Sequence, residues 1–353
     1  MIRQTWRDDA PIVIYIGVYW AICSVVWWMT GRDNIQFASI HLNAALILGC
    51  LAACLPLQIL YLLVRHRPGF PIGFFRNFYR HYQPVRRVVA SSLFLLGLVV
   101  FWPIFSAMKK SIGLYTDFSW DHAFIRADML IHRGDAWQLF TWLLRSPTAV
   151  YLINVLYQAW ITLLYIGVPL IALDLERRRL RSQFLMTLVL GWSIIGNGLA
   201  MLLASAGPCF VAVIHGNPHF EPLMAQLKAV DQITPLMTLK VQAKLLAIQA
   251  TNGNGLGSGI SAMPSIHVHT AFLFALWASK VSRLAGVVFG SFCAVIMIGS
   301  VLTGYHYAVD GYVAIGMTVL LWWLSGVFLR WRDGRENSMV APEQPLTEPL
   351  PAE

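Results

Sequence analysis

Long runs of apolar residues alternate with short polar segments along the whole chain. Each run has about 17 to 25 residues, the length at which an α-helix crosses the hydrocarbon core of a bilayer. The predicted spans cover about residues 11–30, 43–64, 88–107, 149–173, 184–206, 264–280, 284–304 and 306–329. This pattern predicts an all-α fold, a polytopic transmembrane helical bundle of about eight spans. No small-residue cleavage site follows the first run, so we expect a retained anchor rather than a removable signal peptide.

The composition agrees with a membrane protein. Of the 353 residues, 57% are apolar and 12% are charged, and the mean hydropathy is +0.61. Such a chain is too apolar for a soluble globular domain. The five cysteines follow no metal-ligand spacing, and we interpret them as small packing residues.

Basic residues cluster beside the apolar runs on alternate sides. Arginines without any acidic residue fill the segment 65–87, and further clusters occupy 177–181 and 330–335. Because cytoplasmic loops are enriched in Lys and Arg, these clusters place both termini inside. The net charge of +9 is thereby explained by topology, so we expect no nucleic-acid partner.

The chain divides into four predicted regions. Residues 1–107 form three N-terminal spans, 108–148 an external amphipathic segment, 149–330 a catalytic membrane domain and 331–353 a disordered cytoplasmic tail. The external segment mixes aromatic residues with Asp117, Asp121, Asp128 and Asp135, a composition that suits the membrane interface. Two interpretations stay open for it: the floor of a lipid entrance, or a helical cover over the bundle.

Candidate chemistry is concentrated between Ser258 and Asp310. Pro264 and Ser265 suit the start of a helix, which puts His267 in its first turn. His306 and Asp310 have the i, i+4 spacing that places two side chains on one helix face. Two antiparallel spans join these motifs, so we expect both histidines to meet at the external face.

These residue types suit phosphoryl transfer through a covalent intermediate. His306 would be the nucleophile, Asp310 would fix its tautomer, and His267 would protonate the leaving oxygen. The amides that open the sixth span, with the Ser265 hydroxyl, would hold the phosphate. No cluster of ligands for a metal ion accompanies them, and we expect neither a metal nor another cofactor.

Two neighbouring features have simpler interpretations. His269 lies two residues from His267 and points about 200° away around the helix, so we expect a packing or interfacial histidine. The glycine-rich run of residues 253–259 has no preceding strand, and we interpret it as a flexible lead into the site rather than a nucleotide loop.

These motifs resemble the type 2 phosphatidic acid phosphatase superfamily over about residues 200–318. Residues 264–267, Pro-Ser-Ile-His, resemble its second signature, and His306 with Asp310 resembles the end of its third. The run 306–312, His-Tyr-Ala-Val-Asp-Gly-Tyr, is most similar to the branch of inositol phosphorylceramide synthase and, more remotely, of sphingomyelin synthases. The resemblance implies His306 as nucleophile, Asp310 as its partner and His267 as general acid and base.

The sequence departs from the superfamily in its basic residues. No Lys-x6-Arg-Pro first signature is present, and Ser300 stands six residues before His306, where the phosphatases have arginine. Other cations could bind the phosphate in their place, and spacing does not choose between them: Lys240, Lys244, Arg126 and Lys110.

The leading hypothesis is an enzyme that breaks a phosphoester bond of a phospholipid or lipid phosphate at the external or periplasmic face of a plasma (inner) membrane. The acceptor is a lipid hydroxyl, as in the inositolphosphotransferase-like branch, or water, as in a lipid phosphatase. A lipid transporter is the alternative from another class, although the spans contain few ionisable residues and no inverted repeat. A catalytically inactive scaffold would have lost one of the three residues, and none is lost.

Overall fold

The computed structural model describes residues 1–30, 38–251 and 259–340, and every regular element in these ranges is helical. Four helices form the N-terminal part: α1 Ile2–Thr30, α2 Ala38–His66, α3 Pro71–Tyr82 and α4 Pro84–Tyr115. α3 lies in the arginine-rich segment and has proline at its first position, where the missing amide costs no helical hydrogen bond. α4 continues eight residues beyond the predicted span end at 107, so Lys109 and Lys110 belong to this helix.

The external segment and the fourth span are built from short helices. They are α5 Asp121–His132, a 3₁₀ turn Ala136–Phe140, α6 Thr141–Leu144, α7 Pro147–Gln158, α8 Trp160–Thr162, a π-helical turn Leu163–Gly167 and α9 Val168–Ala172. Ser146 caps α7, because its side-chain oxygen accepts a hydrogen bond from the Ala149 amide at 3.3 Å. α7 to α9 run on as one membrane-length stretch, Pro147–Ala172.

The fifth span leads into a region, predicted to be external, that is helical rather than a simple loop. The elements are α10 Arg178–Ser193, a π-helical turn Ile194–Leu199, α11 Ala200–Leu202, α12 Pro208–His215, a 3₁₀ turn Pro218–Phe220, α13 Glu221–Ile233 and α14 Met237–Thr251. The glycine-rich lead of the sequence analysis lies outside the described residues except for Gly259.

Three helices close the chain: α15 Ile266–Val281, α16 Arg283–Leu302 and α17 Ala308–Val340. α15 and α16 form an antiparallel hairpin, and each begins behind a serine cap, Ser265 and Ser282. α17 extends to Val340, ten residues into the segment predicted as a disordered tail, and residues 341–353 lie outside the described ranges.

The membrane-spanning character agrees with the prediction of an all-α polytopic bundle. Within the described ranges, seven helical stretches are long and apolar enough to cross a membrane. The remaining predicted span is α15, whose 16 residues fall short of the usual crossing length of about 20. α15 is nevertheless deeply buried, with Val268, Ala271 and Leu273 fully covered by neighbouring helices.

Ion pairs join three helices at one end of the bundle. Both carboxylate oxygens of Asp9 on α1 accept hydrogen bonds from the buried guanidinium of Arg181 on α10, at 2.6 and 3.0 Å. Asp8 binds Arg178 at 2.6 Å and Arg332 of α17 at 3.3 Å. The paired bonds to a fully buried arginine satisfy a charge that would otherwise be costly in this position.

This ion-pair cluster and the candidate chemistry lie at opposite ends. The stretch Arg178–Leu202 contains 25 residues, which as a helix span about 37 Å. It begins at the cluster and ends just before Ser205, while α17 begins beside His306 and carries Arg332 at its far end.

Candidate active site

His267 and His306 meet in the structure, although 39 residues separate them in the chain. His267 Nδ1 and His306 Nε2 are 3.2 Å apart, within hydrogen-bond distance. The α15–α16 hairpin brings the two residues together, because His267 opens α15 and His306 follows the end of α16. The predicted convergence of the two motifs is therefore confirmed.

His306 lies in the turn before α17 rather than on the helix itself. Its Nδ1 is 2.8 Å from the Ala262 carbonyl oxygen and 3.2 Å from Asp310 Oδ2. Both partners are acceptors, so Nδ1 carries the proton, and in the neutral ring Nε2 keeps its lone pair as an acceptor. His267 Nδ1 must then be protonated as well, since it donates to that lone pair. The geometry thus assigns the tautomer of both rings.

Burial keeps His306 neutral. The side chain is 5% exposed, and burial, assisted by the positive charge of Lys109, lowers the pKa of His306 to about 3. At neutral pH the imidazole is therefore unprotonated at Nε2, the form that a nucleophile requires.

Asp310 connects the imidazole to the start of α17. Its Oδ2 also accepts a hydrogen bond from the Tyr307 amide at 3.1 Å. Asp310 is the third residue of α17 and Tyr307 its N-cap, so this bond is a carboxylate cap of the helix start. Its backbone carbonyl accepts the Ser265 amide at 3.2 Å, which ties α17 to the cap of α15. Its other carboxylate oxygen has no partner among the described residues.

Ser265 is the N-cap of α15. Its buried hydroxyl oxygen accepts a hydrogen bond from the Val268 amide at 3.3 Å, which agrees with the predicted helix start. Its predicted role in binding the substrate phosphate stays a prediction, since the cap bond shows only how the helix begins.

Two aromatic rings hold His267 in position. The Tyr157 ring stacks on the imidazole at a centroid distance of 4.9 Å, and the Trp160 ring meets it edge-on at 4.5 Å. The packing restricts rotation of the imidazole, so Nδ1 stays directed at His306.

Two carboxylates of α5 lie over the site and are satisfied by backbone amides. Asp128 accepts hydrogen bonds from the Ala308 and Val309 amides at 2.8 and 3.0 Å, the first two amides of α17. Asp121 accepts from the amides of Ala206 and Gly207 and from the Tyr307 hydroxyl. The segment 108–148 therefore covers the turn that carries His306, and its role as a lipid entrance stays a prediction.

Sequence reasoning missed Ser205. The Ser205 carbonyl accepts the Ala262 amide at 2.8 Å, and its hydroxyl oxygen accepts the Met263 amide at 3.0 Å. These bonds position the Ala262 carbonyl against His306. A signal existed for Asp121 and Asp128, because their seven-residue spacing places both on one face of α5. The residue type of Ser205 gave no indication of its contacts.

His269 is a packing residue, as predicted. The side chain is fully buried, and its Nδ1 lies 2.8 Å from Thr318 Oγ1 on α17. Within the described part of the chain, no three His, Cys, Asp or Glu side chains are grouped so that they could hold a metal ion.

The helices and the site define a polytopic, all-helical membrane protein with a buried His–His–Asp constellation at one end. A family model for the PAP2 superfamily matches residues 122–324, more than half of the chain and all three of these residues. The chain therefore belongs to the PAP2 superfamily, which supports a lipid phosphatase-type function in the membrane. No curated protein and no solved structure matches the sequence.

Proposed function

We propose that the protein is a lipid phosphotransferase that passes a phospho-headgroup through His306 to a lipid hydroxyl at the external face of the plasma (inner) membrane. The observation that carries the proposal is the geometry of His306: its Nε2 lies 3.2 Å from His267 Nδ1, while its Nδ1 lies 2.8 Å from the Ala262 carbonyl oxygen. The arginine clusters at the opposite end of the bundle support the external placement. The similarity of residues 306–312 to the inositol phosphorylceramide synthase branch favours a lipid acceptor over water.

The first half-reaction forms the covalent intermediate. His306 Nε2 attacks phosphorus of the donor lipid, a nitrogen–phosphorus bond forms, and the bond from phosphorus to the lipid oxygen breaks. His267, held as the imidazolium by the negative charge of the bound phosphate, gives its Nδ1 proton to the departing alkoxide and becomes a neutral imidazole. As the imidazole becomes cationic, the Nδ1–H bonds to Ala262 and Asp310 strengthen and stabilise its charge.

The second half-reaction regenerates the enzyme. The acceptor hydroxyl gives its proton to His267 Nδ1, and its oxygen attacks phosphorus. The nitrogen–phosphorus bond then breaks, and its electron pair returns to His306 Nε2. His267 is again the imidazolium and His306 again the neutral imidazole, so one proton has passed from acceptor to leaving group and no other reactant is consumed.

Trapping of the intermediate tests the nucleophile. Protein in detergent with excess EDTA is mixed with phospholipids labelled at phosphorus, because the proposed reaction includes no metal ion. We expect acid-labile label on the wild type and none on His306→Ala. His267→Ala should slow labelling most for poor leaving groups, by about 100-fold. His122→Ala, at an exposed histidine of α5, serves as the matched control and should label normally.

The product identifies the acceptor. With ceramide-type or inositol-type lipids present, label should move into a new lipid; release as water-soluble phosphate would instead identify a phosphatase. Label bound to His306→Ala would exclude His306 as nucleophile. Movement of intact lipid across vesicles without any bond cleavage would favour the transporter alternative.

A further inference from the structure

The candidate site is rich in acids and lacks an assigned cation. Asp310, Asp121 and Asp128 are all buried around the turn that carries His306. A phosphate in this place adds further negative charge, so a positive side chain is needed beside the two histidines. Among the cations that the sequence offered, Lys240, Lys244 and Arg126 are exposed, and Lys110 has an interaction partner of its own.

Lys109 of α4 lies next to the segment that positions His306. A Cβ atom on Gly259 would lie 2.8 Å from the Lys109 carbonyl oxygen, so the two backbones touch directly. Gly259 has φ +113°, a conformation that glycine adopts readily, which permits this approach. Three residues further on, the Ala262 carbonyl binds His306.

The Lys109 side chain is half-buried, and its positive charge contributes to the lowered pKa of His306. Within the described part of the chain, neither a carboxylate nor a hydrogen-bond acceptor is paired with it. A partly buried ammonium group that has no counter-ion among the described residues is unusual, because buried lysines are normally paired. The position therefore suits an anion that arrives with the substrate.

We propose that Lys109 binds the substrate phosphate and stabilises the charge that develops on it during transfer from His306. The assignment rests on the proposed function and deepens it. α4 lies outside residues 122–324, the part that matches the family model, so one of the N-terminal helices completes the site.

Three variants test the assignment: Lys109→Met, Lys109→Arg and the control Lys244→Met, at an exposed lysine of α14. We expect Lys109→Met to lower kcat/KM for lipid turnover by about 100-fold or more, the usual loss when one transition-state donor is removed. Inhibition by orthovanadate, a phosphate-like oxyanion, should weaken by a similar factor. Lys109→Arg should keep part of both properties, and Lys244→Met should keep both in full.

The pH profile separates a charge effect from a structural one. Among the described residues, the titratable groups that contact or act on His306 are Asp310 on α17, His267 on α15 and Lys109 on α4. Tyr157 of α7 stacks on His267, and Asp128 of α5 acts on Asp310. Lys109 disfavours protonation of His306, so its removal should move the acid limb of kcat/KM to higher pH. Lys109→Arg should leave that limb close to its wild-type position.

Two outcomes would overturn the assignment. One is kcat/KM within about threefold of wild type for Lys109→Met; the other is lost turnover with unchanged orthovanadate inhibition and an unchanged acid limb. The failure of the proposed function is a different result, because the wild type itself would then form no labelled intermediate and no product.

Discussion

At the scale of single residues, the chemistry of the site depends on the position of one proton. His306 Nδ1 faces two acceptors, the Ala262 carbonyl and Asp310 Oδ2, and a single hydrogen serves both. In the proposed reaction, this arrangement leaves the Nε2 lone pair available for attack and holds the proton where positive charge would develop. The Ala262 carbonyl is the closer of the two acceptors, so its position matters as much as the carboxylate.

Ser205→Ala should reduce turnover by acting on that carbonyl. The substitution removes the acceptor of the Met263 amide and loosens the segment that presents Ala262 to His306. We expect kcat to fall by about tenfold with KM nearly unchanged, because small displacements in catalytic geometry are costly. Steady-state kinetics with a labelled phospholipid measure this effect.

A double-mutant comparison distinguishes positioning from general damage. Ser91→Ala, a buried serine whose hydroxyl bonds to Ala172 far from the site, is the matched control and should keep wild-type kcat. In a His306→Ala background, Ser205→Ala should have no additional effect on residual turnover. Equal kcat for Ser205→Ala and wild type would disprove the positioning role.

At the scale of elements, the start of α17 is held by two acids from different helices. Asp310 accepts the Tyr307 amide from within α17, and Asp128 of α5 accepts the Ala308 and Val309 amides. Burial raises the pKa of Asp128, while the two amide bonds oppose that shift. α5 therefore supplies a cap for α17, another helix of the same chain. This cap fixes the turn that contains His306.

Asp128→Ala should destabilise the protein through this cap. Two buried amides would lose their acceptor, at a cost of about 2 kcal/mol or more in the free energy of unfolding. Asp128→Asn keeps one acceptor oxygen and should lose less. Thermal unfolding in detergent measures the difference, with exposed Asp117→Ala as the matched control. A melting temperature equal to that of the control would show that α17 needs no cap from α5.

At the scale of the whole molecule, two polar centres lie at opposite ends of an apolar bundle. One is the ion-pair cluster of Asp8, Asp9, Arg178, Arg181 and Arg332, and the other is the histidine site. Helices of membrane length separate them, so we expect the arginine clusters and the site to face different compartments.

Cysteine labelling tests which compartment each end faces. In a cysteine-free background, Arg80→Cys and Arg179→Cys should resist an impermeant thiol reagent added outside intact cells, and Lys244→Cys should react. All three positions are exposed in the structure, so differences in burial do not account for the result. Labelling of the arginine positions, with Lys244→Cys protected, would put the site in the cytoplasm and change the lipid pool that it meets.

Much of the fold was predictable, because whether a segment can span a membrane depends mainly on the hydropathy of its own residues. Seven of the eight predicted spans appear as long apolar helices, and Ser265 caps α15 as its position indicated. The helical external region between α11 and α15 was less accessible to prediction, since short amphipathic helices are stabilised by the surfaces they cover rather than by their own pattern.

The sequence alone determined the membrane class and the approximate spans, because long apolar runs indicate both directly. It also singled out His267, His306 and Asp310 as candidate site residues, because of their residue types and spacing. Only the tertiary structure decided which groups surround them. The Ala262 carbonyl has no side-chain signature, Ser205 is one serine among many, and Lys109 lies on a helix far away in the chain. Their roles arise from packing between distant segments, and such contacts are set by the fold as a whole rather than by any local pattern.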